Sequence, residues 1–472
     1  MFPLSMTSKG IGRVFILKCT FLSSVLLTTL LYFVYLPLSP KQQIKVNNFF
    51  INESSSNILN RSSTFRMIEP SPNFYGLKDR CERLYSSANV SEDDLGRGIS
   101  VSKHIFSLQL TENGSFPTCE HYLSQRRREG FYNPQTTSEV ERRWRVAYGI
   151  LVYKNVDQVE QLLMSIYRQH NFHCIHVDSK ATPTFKRQME RLASCFPHDS
   201  VFLAPNPVDV QWARFSLVQA ELACMGELLR RGRGRKRGEM WDYFINLTGE
   251  EFPLVTNMEL ATLLDKIHGV NLVDGPGKHP KWERDRLPAK LPPYLAPFKS
   301  STHVGLCREA VEFILESKIA SELLDSFSQL WYAEEAIFAI LQYNKHASFP
   351  CSRSSKDGEK YLVEFSPRYK QWSFENSKWC PSGFIQRHIC MVGVKTLPQI
   401  VNNYHGVTLA VNKFPWHFEP LAWDCLNVWH HSRVSEERRT GRVSTHFLSK
   451  LNSLANPAHR ISNYIRKHPK WR

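Results

Sequence analysis

The chain contains no Asp-x-Asp, no Cys-x-x-Cys, no internal repeat and no acidic residue before Glu53. Each absence excludes something. Many enzymes that handle nucleotide diphosphates use an Asp-x-Asp pair to hold a divalent metal; without it, cationic side chains do that work or the chemistry is not there. Without Cys-x-x-Cys the usual zinc clip is missing. The ten cysteines beyond Cys19 therefore read mostly as disulfides of an oxidising compartment. The missing repeat excludes a solenoid or propeller. The missing acids leave Lys9, Arg13 and Lys18 unopposed ahead of an uncharged run from Cys19 to Leu36, about the length that crosses a bilayer.

Positive flanking charge stays cytosolic. Residues 1–13 are thus expected to be a cytosolic tail, and 14–37 a transmembrane signal anchor of type II orientation. Residues 38–75, rich in Ser and Asn, are expected to form a luminal stem. A cleaved signal peptide is the competing reading, but the apolar run is long and no small-residue cleavage pattern follows Pro37. The folded domain is then 76–430, and 431–472 is a basic tail. Sequons at Asn52, Asn60, Asn89 and Asn113 lie between the membrane and the first strand, as glycosylation sites of a luminal protein. A fifth, Asn246, sits in an apolar strand and is expected to be unused.

The formal charge of +16 does not indicate a nucleic-acid partner. Between His431 and Arg472 there are ten Lys or Arg against two Glu, so about half the excess lies in the tail. A second cluster, Arg230 to Arg237, falls in a helix-to-strand loop and reads as solvated charge or a protease site. A luminal protein meets no nucleic acid, whereas an anionic nucleotide-sugar or an acidic glycan is drawn by the same field.

Within the folded part, Val146 to Tyr153 is a nearly continuous apolar run, which predicts a strand buried on both faces. Val156, Val159, Leu162, Leu163, Ile166 and Tyr167 recur at helical spacing. His173 to Asp178 then gives a second strand ending on a carboxylate. In open parallel sheets ligands bind beyond the carboxyl ends of the strands, and an acid there commonly holds a ribose hydroxyl. Asp178 is therefore a site candidate; the alternative is that it caps the next helix. Strands at 201–204 and 243–247, with helices between them (the second from Trp212 to Leu229), extend the alternation into an α/β sheet with helices on both faces. Beyond it come a helix at 257–267, a loop to residue 301, a helical region from Ala310 to Leu341 and short strand-like pieces from Tyr361 to Trp423. Glu334 and Glu335 point in different directions if helical, so only one can face a cleft, and spacing does not decide which. Arg387 and Lys413 together make a competent diphosphate clamp, the Arg by its fork and the Lys as a point charge.

The blocks Phe172–Asp178, Leu192–Phe196, Glu221–Cys224, Ile245–Pro253, Arg387–Cys390 and Asn412–Phe414, in that order, resemble the core 2 β-1,6-N-acetylglucosaminyltransferases. These are type II Golgi membrane enzymes that branch O-glycans. The resemblance runs from about residue 81 to 426. It implies a GT-A-like, Rossmann-type mixed sheet with helices on both faces, behind a single transmembrane helix and stem. It also implies disulfides pairing Cys81 with Cys425, Cys119 with Cys195, Cys174 with Cys224 and Cys380 with Cys390, which leaves Cys307 and Cys351 over. The implied activity is inverting transfer of N-acetylglucosamine from UDP-GlcNAc to a 6-hydroxyl of galactose- or N-acetylgalactosamine-containing O-glycans on glycoproteins, with no metal or other cofactor. Glu335 falls on the catalytic base, Asp178, Arg387 and Lys413 on the donor site, and Lys281, Arg284 and Trp372 on the acceptor side. Departures gather on that acceptor side. The family's Ser-Pro-Asp-Glu is Tyr332-Ala-Glu-Glu335 here, an acceptor-binding Glu falls on Val273, and the aromatic pair near Trp372 is displaced, with Ser373 in one place. The alternative is a luminal glycan- or nucleotide-sugar-binding protein that kept this fold without the activity.

Overall fold

The computed structural model describes residues 72–86, 118–128, 132, 134, 138–274, 291–352, 367–372, 380–402 and 408–455. The expected anchor at 14–37, the stem before 72, the sequons Asn52, Asn60, Asn89 and Asn113, and the acceptor candidates Lys281 and Arg284 lie outside them. Among the described residues no helix is long and apolar enough to cross a membrane.

Three helices, α1 (Pro72–Ser86), α2 (Cys119–Arg128) and α3 (Glu139–Arg143), precede the sheet. Strand and helix then alternate through β1 (Val146–Val152), α4 (Val156–Ile166), β2 (Phe172–Val177), α5 (Pro183–Ser194), β3 (Val201–Leu203), α6 (Ser216–Gly232) and β4 (Tyr243–Thr248). Every residue of β2 and all of β1 except Leu151 are buried, as expected of strands covered on both faces. Close packing explains Gly149 in β1: a Cβ there would lie 2.9 Å from the Phe244 ring of β4. After β5 (Phe252–Pro253), α7 (Asn257–Lys266), β6 (Leu272–Val273) and β7 (Val304–Cys307), the six-stranded sheet is complete in the order β3-β2-β1-β4-β7-β6. β3, β2, β1 and β4 run parallel, and β7 is antiparallel to both of its neighbours. The chain thus winds outward from β1 to β3 and returns to place β4 on the other side of β1, which makes the carboxyl ends of β1 and β4 the switch point where ligands bind in such sheets.

The expected helix from Trp212 begins instead at Ser216, because Ala213 has a left-handed φ of 59° that breaks the approach. The region from Ala310 to Leu341 is several pieces: α8 (Arg308–Glu316), α9 (Lys318–Phe327) capped by the Ser317 hydroxyl, a 3-10 turn at Ala333–Glu335, and α10 (Ile337–Tyr343). Farther on, β8 (Arg368–Tyr369), the hairpin of β9 (Ile385–Gln386) and β10 (Ile389–Cys390), α11 (Leu397–Asn402) and β11 (Ala410–Val411) are all short. β11 pairs with both β5 and β8, forming a small second sheet against the switch point.

The boundary expected at residue 430 is corrected by α12 (Pro420–Thr440), a single helix running through it. Residues past 430 belong to the folded body because Arg433 bonds Glu259 of α7 at 2.9 Å and Glu437 accepts from the Thr256 hydroxyl at 2.7 Å. Phe447 and Leu451 of α13 (Thr445–Ala455) are buried as well. Five disulfides tie the layers: Cys81–Cys425, Cys119–Cys195, Cys174–Cys224, Cys380–Cys390 and also Cys307–Cys351, the two cysteines left over. Cys81–Cys425 spans 344 residues and clamps α1 onto α12, the kind of long closure that most restricts an unfolded chain. Asn246 is buried in β4, with its amide donating to Glu221 and to the Thr302 carbonyl and accepting from Val304 N. No glycan fits on such a side chain.

Asp424 on α12 departs from the pattern of paired buried charges. It is fully buried, and neither carboxylate oxygen finds a hydrogen-bond partner among the described residues. Burial pushes its pKa well above the carboxylate range, with Arg80 pulling the other way. The unfolded chain ionises this group near its ordinary pKa of about 3.9. The folded state therefore holds the extra proton, and its stability falls as pH rises above that value. Asp424→Asn is expected to raise unfolding stability at neutral pH by about 1–3 kcal/mol. In denaturant titrations the gain should fade on approach to about pH 4.

Candidate active site

Three parallel strands deliver charged residues to one edge. Lys154 follows β1, Asp178 follows β2, and Glu250 and Glu251 follow β4. Asp178 is buried, and its backbone N–H donates to Val152 O at 2.9 Å, which fixes it to the end of β1. It does not cap α5; Thr182 does, accepting from Phe185 N. Instead its carboxylate accepts from the backbone N–H of Lys180 at 3.0 Å and from the Lys180 ammonium at 2.9 Å. The same ammonium reaches Asp209 at 2.9 Å and the Val210 carbonyl.

Glu251 is fully buried and accepts four contacts. Arg368 Nε lies at 3.2 Å, Asn412 donates at 2.9 Å, Thr248 N–H donates at 3.0 Å, and His303 Nε2 sits 3.5 Å away. Arg368, equally buried, also donates to the carbonyls of Asn246 and Pro367. This node fixes the relative placement of β4, β8 and β11. Lys370 therefore emerges just after β8, and Lys413 just after β11.

Lys413 is half-buried. Burial lowers its pKa; Glu250 opposes that, and Arg387 and Lys154 add to it, so its ammonium lies within the field of both of these cations. Lys154 is itself paired to Glu250 at 2.7 Å. The Lys413 carbonyl accepts from Val392 N–H at 2.9 Å, joining Lys413 to the segment after the β9–β10 hairpin. Arg387 and His388 form the two-residue turn of this hairpin with φ of 52° and 65°. Turns of this kind need left-handed residues and favour Asn-Gly; an Arg-His pair there carries local strain, held by the Cys380–Cys390 staple. β9 and the turn are exposed while β10 is buried, and the Arg387 guanidinium lies 4.6 Å over the ring of Trp212. Trp372 forms a bridge to Ile389 of the same hairpin.

The 3-10 turn settles the acidic pair. Glu334 is 6% exposed and turned into the protein. Glu335 is half-buried, with its carboxylate 3.1 Å from Lys299 Nζ and its carbonyl accepting from Ser300 N at 2.7 Å. Lys370 donates to Ser301 at 2.9 Å and lies 5.7 Å from the Trp372 ring centre. Burial pushes Lys370 down to about 8; Glu251 opposes and Arg368 reinforces this, and Glu335 is among the acids it senses. Lys413 thus shares a field with Arg387, Trp372 meets the hairpin that carries Arg387, and Lys370 senses Glu335, whereas Asp178 reaches toward Trp212 only through Lys180 and its partners Asp209 and Val210. The basic loop is not among them: Arg230 and Arg231 pair with Glu227, Arg233 with Glu316 and Arg235 with Asp199, ahead of β4 rather than beyond it.

Sequence reasoning missed Glu251, Arg368, Lys154, Lys299, Lys370 and Trp212. Only Glu251 had a local signal, an acid directly before the apolar Phe252-Pro253-Leu254.

A family model described as "Core-2/I-Branching enzyme" matches residues 146–401. The chain is 27% identical over 437 residues to "Beta-1,3-galactosyl-O-glycosyl-glycoprotein beta-1,6-N-acetylglucosaminyltransferase 4" of Danio rerio, covering 87% of this chain and 94% of that one. It is 29% identical over 333 residues to the enzyme numbered 3 in the same series from Homo sapiens, covering 66% and 73%. Among solved structures, the mannosyltransferase Ktr4p from S. cerevisiae in complex with GDP matches at 12% identity and a TM-score of 0.17, covering 60% of this chain and 76% of that one; a likeness this weak adds nothing to the sheet order.

Removing one member of a buried ion pair strands the other. Arg368→Ala should cost about 3–5 kcal/mol in denaturant unfolding. The double change Glu251→Leu with Arg368→Met should cost less than Arg368→Ala alone, because it leaves no unpaired charge.

Proposed function

The chain belongs to the Core-2/I-Branching enzyme family, and from that premise we propose that it transfers N-acetylglucosamine from UDP-GlcNAc, with inversion, to a 6-hydroxyl of O-glycans on glycoproteins. The observation that carries the reading is a set of charges beside the sheet: Glu335 within the field of Lys370, which follows β8, and Arg387 within the field of Lys413, which follows β11. Glu335 takes the proton of the acceptor hydroxyl as that oxygen attacks the anomeric carbon. The carbon–oxygen bond to UDP breaks on the opposite face, giving a β-1,6 linkage. Arg387 and Lys413 stabilise the negative charge that develops on the departing diphosphate, work that a metal does in other transferases. Asp178 serves the nucleotide from the end of β2. The uncharged run from Cys19 to Leu36 behind Lys9, Arg13 and Lys18, and the sequons that follow it, support a reading in which this activity works in the Golgi lumen on a single-pass type II membrane protein.

A second reading, a binding protein without transfer, draws on one observation. Lys299 Nζ holds the Glu335 carboxylate at 3.1 Å, so an acceptor hydroxyl would have to displace an ammonium to reach that oxygen. Transfer of labelled N-acetylglucosamine to an acceptor array separates the readings. The transferase reading expects product on a 6-hydroxyl acceptor, whereas the binding reading expects UDP-GlcNAc binding with none.

Glu335→Gln is expected to lower turnover about 10²–10⁴-fold with UDP affinity little changed, read by steady-state kinetics and calorimetry. Lys413→Ala should weaken UDP by about 1.5–3 kcal/mol, while EDTA leaves binding intact. Loss of binding in EDTA together with an unaffected Lys413→Ala would refute the metal-free clamp.

A further inference from the structure

We infer that Trp212 is a positioning residue that holds Arg387 in place and couples it to the turn bearing Glu335; the inference rests on the reading of Arg387 as a diphosphate ligand. Trp212 is 50% exposed, so core packing does not account for a ring of this size. One contact is the Arg387 guanidinium, 4.6 Å from the ring centre. Another is Tyr332, edge-on with centroids 5.6 Å apart. Tyr332 immediately precedes the 3-10 turn of Glu335, and its backbone N–H donates to Ala213 O at 2.8 Å. The neighbouring Arg214 pairs in a β-bridge with Trp331 and lays its guanidinium 3.6 Å over that ring. Ala213 and Tyr332 both hold a left-handed φ of 59°, a backbone state that non-glycine residues keep only where their surroundings impose it. The start of the same loop is tied to Asp178, through Lys180 bonded to Asp209 and Val210 and through Ser179 N–H donating to Val208 O at 3.0 Å. Residues 208–214 therefore touch the arginine and the base-bearing turn directly, and reach the strand-end acid through Lys180.

The chemistry favours this arrangement. A guanidinium stacked on an aromatic face keeps its N–H edge free to bond oxyanions. Arg387 otherwise stands on an exposed hairpin turn, where its long side chain samples many rotamers. A fixed plane beneath it removes most of that freedom before the ligand arrives, and pre-organisation of this kind appears as affinity.

The test measures UDP affinity by calorimetry on the full chain, for the wild type, Trp212→Ala, Trp212→Phe, Arg387→Ala and the double variant Trp212→Ala with Arg387→Ala, with thermal melts of each. Trp212→Ala should weaken UDP about tenfold, and Trp212→Phe should recover most of that. The double variant should bind no more weakly than Arg387→Ala alone, since Trp212 acts through the arginine. Unchanged UDP affinity in Trp212→Ala overturns the role. So does a loss that adds in full to that of Arg387→Ala, which would mean that the ring touches the nucleotide or merely supports the fold. A wild type that does not bind UDP overturns the donor reading and this role with it, an outcome distinct from both.

Discussion

The buried carboxylate of Glu251 is the constraint on which the site depends. An ionised acid removed from water is tolerated only if its lone pairs are met. Here they are met by groups from four separate stretches: Thr248 at the end of β4, His303 ahead of β7, Arg368 of β8 and Asn412 after β11. Each stretch also carries a residue that places one of the nearby lysines. Glu250 holds Lys154, Ser301 holds Lys370, Lys370 follows β8, and Lys413 adjoins Asn412. Satisfying one carboxylate thereby sets the mutual placement of the cations. An apolar cluster of the same volume would stabilise the fold at least as well. What it lacks is direction, since hydrogen bonds at about 3 Å fix orientation as greasy contacts do not.

How much of this was legible in the sequence follows from where each residue sits. β1, β2 and β4 announced themselves because strands covered on both faces must be apolar throughout. The long helix α12 did not. Leu421 to Val428 are all buried, Asp424 and Asn427 included, so the apolar face and polar face that mark a surface helix are missing there. Its basic second half then reads as a tail, although Arg433 is committed to Glu259. The helical region after Ala310 was read as one element because the caps that divide it, such as Ser317, are single residues within an otherwise periodic stretch.

The site shows the same division. Asp178 was visible because the end of a parallel strand is a place with known chemistry. The choice between Glu334 and Glu335 was open because it turns on a 3-10 turn and on Tyr332 with its left-handed backbone, neither of which has a strong residue signature. The node of Glu251 and Arg368 joins residues far apart in the chain, and no local pattern encodes such a meeting. Residue chemistry had already offered Arg387 and Lys413 as an anion clamp, and the resemblance added the choice of Glu335, but neither pointed to Trp212, Lys299 or Lys370, which lie beside them.

The electrostatics of the sheet edge differ from those of the rest of the chain. The chain's excess of +16 is not spread evenly, and the basic loop consumes its charge in pairs with Glu227, Glu316 and Asp199. At the sheet edge the balance differs. Lys413 and Lys370 are both held below the ordinary lysine range by burial, with neighbouring cations adding to the effect. Two half-buried ammonium groups and a stacked guanidinium gathered round so few acids repel one another until an anion arrives. A diphosphate would reverse the sign of that local field, raising the pKa of Lys413 and relieving the repulsion in the same step. On the transferase reading proposed above, the charge that grows on the diphosphate as it departs would meet cations already held together, and only a gain made there beyond the gain made on binding would accelerate the reaction.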